Sequence, residues 1–205
     1  ENAISSHLFK NKVILLFGMR RAGKTTLLKS IAEKIKDPIL WLNGDEFDIR
    51  EYFEKPNATT FRKLLGKHKV LFIDEAQQIP HIGISLKIIT DTLTDVQVIA
   101  TGSSSFELAD KTSEPLTGRK YEYKLYPFCF EELSDYYGFI EQKRLVDHQI
   151  VFGTYPEVVL SDEPENELKL ITDSYLYKDM RFFEGIKKPG VIIKLLRALA
   201  LQIGS

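Results

Sequence analysis

Directly after the apolar run Val13-Ile14-Leu15-Leu16-Phe17 the chain reads Gly18-Met19-Arg20-Arg21-Ala22-Gly23-Lys24-Thr25-Thr26. The short branched run has the character of a strand, and Leu27, Leu28, Ile31 and Ile35 follow at helical spacing. A glycine-bearing turn therefore joins a strand to a helix, which is the context that the pattern G-x-x-x-x-G-K-T requires. Its two glycines let the backbone wrap a chain of phosphates with N–H groups pointing inward, and the helix beginning near Thr25 adds the positive end of its dipole. Lys24 is then placed to reach the β- and γ-phosphates of a nucleoside triphosphate, and the Thr25 hydroxyl to ligate Mg²⁺. The candidate nucleotide-binding residues are Gly18, Arg20, Arg21, Ala22, Gly23, Lys24, Thr25 and Thr26.

A second constellation is Val70-Leu71-Phe72-Ile73-Asp74-Glu75. An apolar run ending in a carboxylate puts Asp74 at the carboxyl end of a buried parallel strand, where ligands bind in open α/β sheets. Its charge suits Mg²⁺, and Glu75 suits the orientation or deprotonation of an attacking water. Fifty residues separate Lys24 from Asp74, an interval that holds a strand at Ile39-Leu42 and a helix over 58–66. That insertion resembles the P-loop branch with a catalytic glutamate and an added central strand. A third segment, Val96 to Ser105, is a buried strand ending in hydroxyl residues. It places Thr101 or Ser103 near the γ-phosphate as a neutral donor, with helix capping by the serines as the alternative. Arg119, after Thr117-Gly118, is a candidate for stabilising charge on the transferred phosphoryl group or else a surface arginine.

Short β-rich runs alternate with helical patterns, the sign of a parallel sheet sandwiched by helices. Strands are expected at 12–17, 39–43, 69–73, 96–101 and 121–125, with helices at 24–36, 58–66, 82–94 and 104–110. Past Pro127 the pattern is helical, at 130–137, 141–152 and 165–184, then breaks at Lys187-Lys188-Pro189-Gly190 before a last helical stretch from Val191 to Leu201. The expected organisation is a core over 1–127, a helical lid over 128–185, and at 186–205 the start of a winged-helix-like domain that the chain cuts short.

With 205 residues, 43% of them hydrophobic, there is enough chain for one large core and a smaller unit. Net charge is −1, which argues against a uniformly basic nucleic-acid binder. From Leu168 onward, however, seven Lys/Arg stand against three acids, either a solvated helix face or a surface facing DNA or another partner. The single cysteine, Cys129, excludes an internal disulfide and sits between Phe128 and Phe130, where a core position is expected. No apolar run reaches the roughly 18 residues of a membrane span, so no membrane association and a cytoplasmic location are expected.

Five blocks occur in order: Gly-x-Arg-Arg-x-Gly-Lys-Thr-Thr-Leu-Leu, Leu-Phe-Ile-Asp-Glu-Ala-Gln (71–77), Thr-Gly-Ser-Ser-Ser (101–105), Leu-Thr-Gly-Arg-Lys-Tyr-Glu-Tyr-Lys-Leu-Tyr-Pro-Phe (116–128) and Gly-Thr-Tyr-Pro-Glu-Val-Val (153–159). On these the chain resembles the archaeal and bacterial predicted ATPases at the border of the AAA+ and STAND groups, which carry an uncharacterised C-terminal region. The resemblance implies a P-loop NTPase core of the ASCE/AAA+ type, ATP and Mg²⁺ as ligands, and paired arginines at Arg20 and Arg21. It also implies that Pro156 contacts the adenine, with a turn-forming proline as the other reading. No N-K-x-D segment is present to read guanine, so ATP is favoured over GTP, and without an arginine-rich lid stretch transfer to water is favoured over a kinase reaction. The function expected is an ATPase switch of low turnover that signals to a C-terminal domain or partner and forms a homo-oligomer. The alternative is an ATP-licensed DNA-binding module related to replication initiators.

Overall fold

The computed structural model describes residues 1–102, 111–112, 114–178 and 189–202. It divides into two compact units, Glu1–Pro127 and Phe128–Ser205.

In the first unit five parallel strands, β1 (Val13–Gly18), β2 (Ile39–Asn43), β3 (Val70–Asp74), β4 (Gln97–Gly102) and β5 (Lys120–Leu125), form one sheet in the order β2-β3-β4-β1-β5. Around it lie α1 (Asn2–Ser5), α2 (Lys24–Ala32), α3 (Phe47–Glu54), α4 (Ala58–Leu65) and α5 (Ile82–Thr92). The residues of β1, β3 and β4 are buried on both faces because alternate side chains meet helices on opposite sides. Leu15, Phe17, Leu71, Ile73, Val98 and Ala100 pack with Phe53 of α3, Phe61 and Leu65 of α4, and Ile82, Leu86 and Ile89 of α5. Ile14, Leu16, Phe72 and Ile99 turn the other way, onto Ile4 of α1 and Leu28 and Ile31 of α2. This is a three-layer α/β sandwich, the P-loop NTPase architecture.

The strand inserted between β1 and β3 is β4, whereas β2, the strand in the interval between Lys24 and Asp74, forms the sheet's edge. Helix α2 stops at Ala32, short of the expected residue 36, because Lys34 and Ile35 donate their N–H groups to Ile31 and Ala32 in tighter turns. Two helices of this unit were not evident in the sequence. Helix α3 buries only Phe53 fully and exposes Phe47, so its apolar stripe is faint, and α1 is a single turn. The expected helix at 104–110 lies outside the described residues.

The second unit contains α6 (Phe130–Tyr137), α7 (Phe139–Phe152), α8 (Pro156–Val159), α9 (Pro164–Lys178) and α10 (Pro189–Ala200). Cys129 is exposed, not in a core. It caps α6: its backbone N–H donates to the Glu132 carboxylate at 2.9 Å while its own side chain accepts from the backbone N–H of Glu132. Inside α7, Gln142 and Gln149 exchange amide hydrogen bonds of 2.6 and 3.0 Å across two turns. Among the described residues no helix is long and apolar enough to cross a membrane.

Candidate functional site

Parallel strands all end on the same side, and here that edge gathers the candidates. Leu16 of β1 is paired with Thr101 of β4, and Ile73 of β3 with Ala100, so Gly18, Thr101 and Asp74 reach the carboxyl edge together.

The loop from β1 to α2 turns through two left-handed residues, Arg21 (φ 59°) and Gly23 (φ 92°). Glycine adopts that region without penalty, whereas arginine visits it rarely. The Ala22 N–H donates to the Met19 carbonyl at 3.2 Å, and Ala22 itself is buried. Lys24 opens α2 at only 5% exposure, its Nζ donating to the carbonyls of Gly18 (2.9 Å) and Met19 (3.0 Å). Burial pushes the Lys24 amine below its ordinary value of 10.5; the charges of Glu75 and Asp74 oppose this, and Arg20 adds to it. Thr25 and Thr26 follow, exposed on the first turn.

Asp74 is the centre of the arrangement. Its Oδ2 accepts from the Thr25 hydroxyl at 2.7 Å. Its Oδ1 accepts from the Thr101 hydroxyl and from the Glu75 N–H, the latter at 3.1 Å. A second acceptor for the same N–H is the Thr101 Oγ1, at 3.3 Å. Glu75 itself takes a left-handed conformation (φ 49°, ψ 43°) as it leads into the 3-10 turn Ala76–Gln78. What holds it there includes Gly44, just past β2, whose N–H donates to the Asp74 carbonyl at 2.8 Å. A Cβ on Gly44 would lie 2.4 Å from the Glu75 carbonyl oxygen, so only glycine lets the two segments approach. The Glu75 carboxylate accepts from the Gln77 side-chain amide at 2.5 Å. Neither Gly44 nor Gln77 was among the sequence candidates. The strand-then-turn reading Leu42-Asn43-Gly44-Asp45 held a signal for the first, and the second lies inside the Asp-Glu-Ala-Gln block.

Two of the candidates are held by other side chains. Thr101 is fully buried and its hydroxyl donates to Asp74, so it positions the carboxylate. Arg119 lies at the opposite edge of the sheet. Its carbonyl accepts from the N–H of Val13, the first residue of β1, which places it roughly 17 Å from Gly18 at the strand's far end. There its Nε donates to Asp91 at 2.7 Å. It cannot reach the phosphate loop of its own chain. Ser103 lies outside the described residues, as do 179–188 of the basic stretch. Pro156 is the first residue of α8 in the second unit, after Tyr155.

The oxygens of Thr25 and Asp74 form a hard donor pair of the kind Mg²⁺ accepts, since that ion keeps waters and takes only one or two protein ligands beside substrate phosphates. Among the described residues no group of three or more His, Cys, Asp or Glu converges.

The AAA domain family matches residues 10–134, which span the whole sheet and both halves of this site. The chain belongs to that family. It is 29% identical to an uncharacterised protein of Haemophilus influenzae, covering 93% of this chain and 51% of that protein. It is also 29% identical to an uncharacterised protein of Methanocaldococcus jannaschii, covering 98% and 48%. The chain thus spans about half the length of these relatives. A solved Walker-type ATPase of Pyrococcus abyssi superposes with a TM-score of 0.50 at 17% identity, covering 93% of this chain and 71% of that one, a likeness of fold. Family and fold together support nucleotide binding.

The lowered Lys24 value has a consequence that needs no nucleotide. The folded chain binds fewer protons at this site than the unfolded chain in the window just below 10.5, so the site's contribution to stability rises with pH there. Lys24→Met removes the titration. In denaturant unfolding, the stability of Lys24→Met relative to wild type is expected to fall as pH rises towards 10.5, and a constant difference would contradict the assignment.

Proposed function

We propose that this chain binds Mg-ATP and hydrolyses it slowly, as a switch whose nucleotide state is passed to the residues beyond the P-loop unit and to a partner. The observation that carries this reading is the Thr25–Asp74 hydrogen bond, which ties the hydroxyl of the phosphate loop to the strand-end carboxylate with Glu75 next in the chain. In this reading the loop N–H groups and Lys24 bind the β- and γ-phosphates, Thr25 and Asp74 hold Mg²⁺, and Glu75 takes the proton of the attacking water. The water oxygen bonds to the γ-phosphorus as the bond to the bridging oxygen breaks, and ADP leaves. Mg²⁺, when bound, supplies neutralisation of phosphate charge. ATP is favoured because no N-K-x-D segment reads guanine. Residues 128–185 act as the lid, Pro156 contacts the base, and the cytoplasm is the location that supplies ATP.

Two substitutions separate binding from turnover. Lys24→Ala removes the point charge aimed at the phosphates and is expected to weaken Mg-ATP binding strongly in calorimetry. Glu75→Gln keeps size and loses the base, so ATP binding should persist while hydrolysis falls by roughly 10²-fold, the scale of a positioned acid–base group. Unchanged affinity in a folded Lys24→Ala protein would refute the loop assignment.

Arg119, remote from its own phosphate loop, is proposed to act on that of a second copy, so that a lone chain would turn over slowly. ATPase activity per subunit should then rise with protein concentration. Mixing Arg119→Ala with Lys24→Ala subunits should restore part of the activity each lacks. Concentration-independent activity with no rescue would leave Arg119 as the partner of Asp91 alone.

A further inference from the structure

The left-handed Glu75 backbone is fixed from several sides, but its side chain is held by one contact. Asp74 and Thr101 take its N–H, and Gly44 presses on its carbonyl. Among the described residues the only hydrogen-bond partner of the carboxylate is the amide of Gln77, at 2.5 Å from Oε2. Without that contact the carboxylate would be free to sample several χ rotamers, and a base must be held close to its reacting geometry to work well.

Gln77 is well suited to be the fixed member of this pair. It is 2% exposed, and it lies in the middle of the 3-10 turn that follows Glu75. Its own backbone carbonyl accepts from Lys111 Nζ at 2.5 Å. Lys111 is anchored in turn, because α5 approaches it backbone to backbone: a Cβ on Gly83 would lie 1.9 Å from the Lys111 carbonyl oxygen. A continuous set of contacts therefore runs from α5 through Lys111 and Gln77 to the Glu75 carboxylate. The chain also connects β4, with Thr101 on Asp74, to Lys111 nine residues after that strand ends at Gly102.

We infer that Gln77 is a positioning residue whose amide holds the Glu75 carboxylate in its working orientation, and that Lys111 fixes Gln77. This rests on the reading of Glu75 as the base for ATP hydrolysis. The neutral amide donates to one carboxylate oxygen and leaves the other to accept from water, so it orients the group without adding a charge beside it. Because Gln77 acts only through Glu75, its loss changes the chemical step and spares the phosphate grip of Lys24 and Thr25. Lys111 acts one contact further away and contributes in the same direction with a smaller effect.

The test is a double-mutant cycle on steady-state ATP hydrolysis by the full chain. Gln77→Met preserves length and bulk in the buried position and removes the donor. It is expected to lower kcat by about 10- to 100-fold, the scale on which misplaced groups and their supports act, with KM for ATP and calorimetric ATP affinity within about twofold of wild type. In a Glu75→Gln background the same substitution should have no further effect on kcat, which a general loss of packing would not produce. Should Gln77→Met fold poorly, Gln77→Asn stays polar and uncharged, draws the donor back by one methylene, and is expected to give the same split. An unchanged or raised kcat in Gln77→Met, or a further loss in the Glu75→Gln background, would overturn the inference. If Glu75→Gln hydrolyses ATP like wild type, the reading of Glu75 fails first. If Glu75→Gln is inactive and Gln77→Met is not, only the role of Gln77 fails.

Discussion

The Asp74 carboxylate accepts hydrogen bonds from three segments that are far apart in the chain: Thr25 on the helix after the phosphate loop, Thr101 on β4, and the N–H of Glu75. Hydrogen bonds to an ionised acceptor are worth more than neutral ones, and here they do more than add stability. They set the loop, the inserted strand and the catalytic candidate in one register. The sheet order makes this possible, since β4 lies between β1 and β3 and brings a buried hydroxyl against Asp74 from behind. Thr25 then closes the front, so each oxygen of the carboxylate is assigned before any ligand arrives.

Around that centre the local backbone departs from its easy conformations where close approach demands it. Arg21 and Glu75 are left-handed without being glycine, one in the phosphate loop and one beside the Asp74 carboxylate. Such residues cost on the order of 1–3 kcal/mol each and persist only where the surroundings over-determine them. For Glu75 those surroundings are visible: two hydrogen bonds to its N–H, and Gly44 packed against its carbonyl.

Much of this was legible in the sequence because the signals were local. Five strands were placed within a residue or so from apolar runs, and Gly18, Lys24, Thr25 and Asp74 follow from a loop motif and a strand-end carboxylate. What was not legible depends on which strands become neighbours. Arg119 follows the hydroxyl-rich segment in the chain, yet a parallel strand must start at the opposite edge from where its predecessor ended, so the residue before β5 is carried away from the phosphates. Gly44 went unassigned because it matters through Glu75 across the sheet, which no short-range pattern specifies, and Gln77 because its meeting with Glu75 depends on the left-handed turn that Glu75 makes. Cys129 was misread for a related reason, since its flanking phenylalanines suggest burial while the Glu132 three residues on marks a helix start.

Whether Thr25 and Asp74 together form the metal-binding side of a nucleotide site is decided by measuring ATP affinity with and without Mg²⁺ for wild type and Asp74→Asn. Asparagine keeps the shape of the side chain and removes its charge. Mg²⁺ is expected to tighten ATP binding to wild type, and this gain is expected to be largely lost in Asp74→Asn while metal-free binding is preserved. A gain from Mg²⁺ as large in the variant as in wild type would contradict that role.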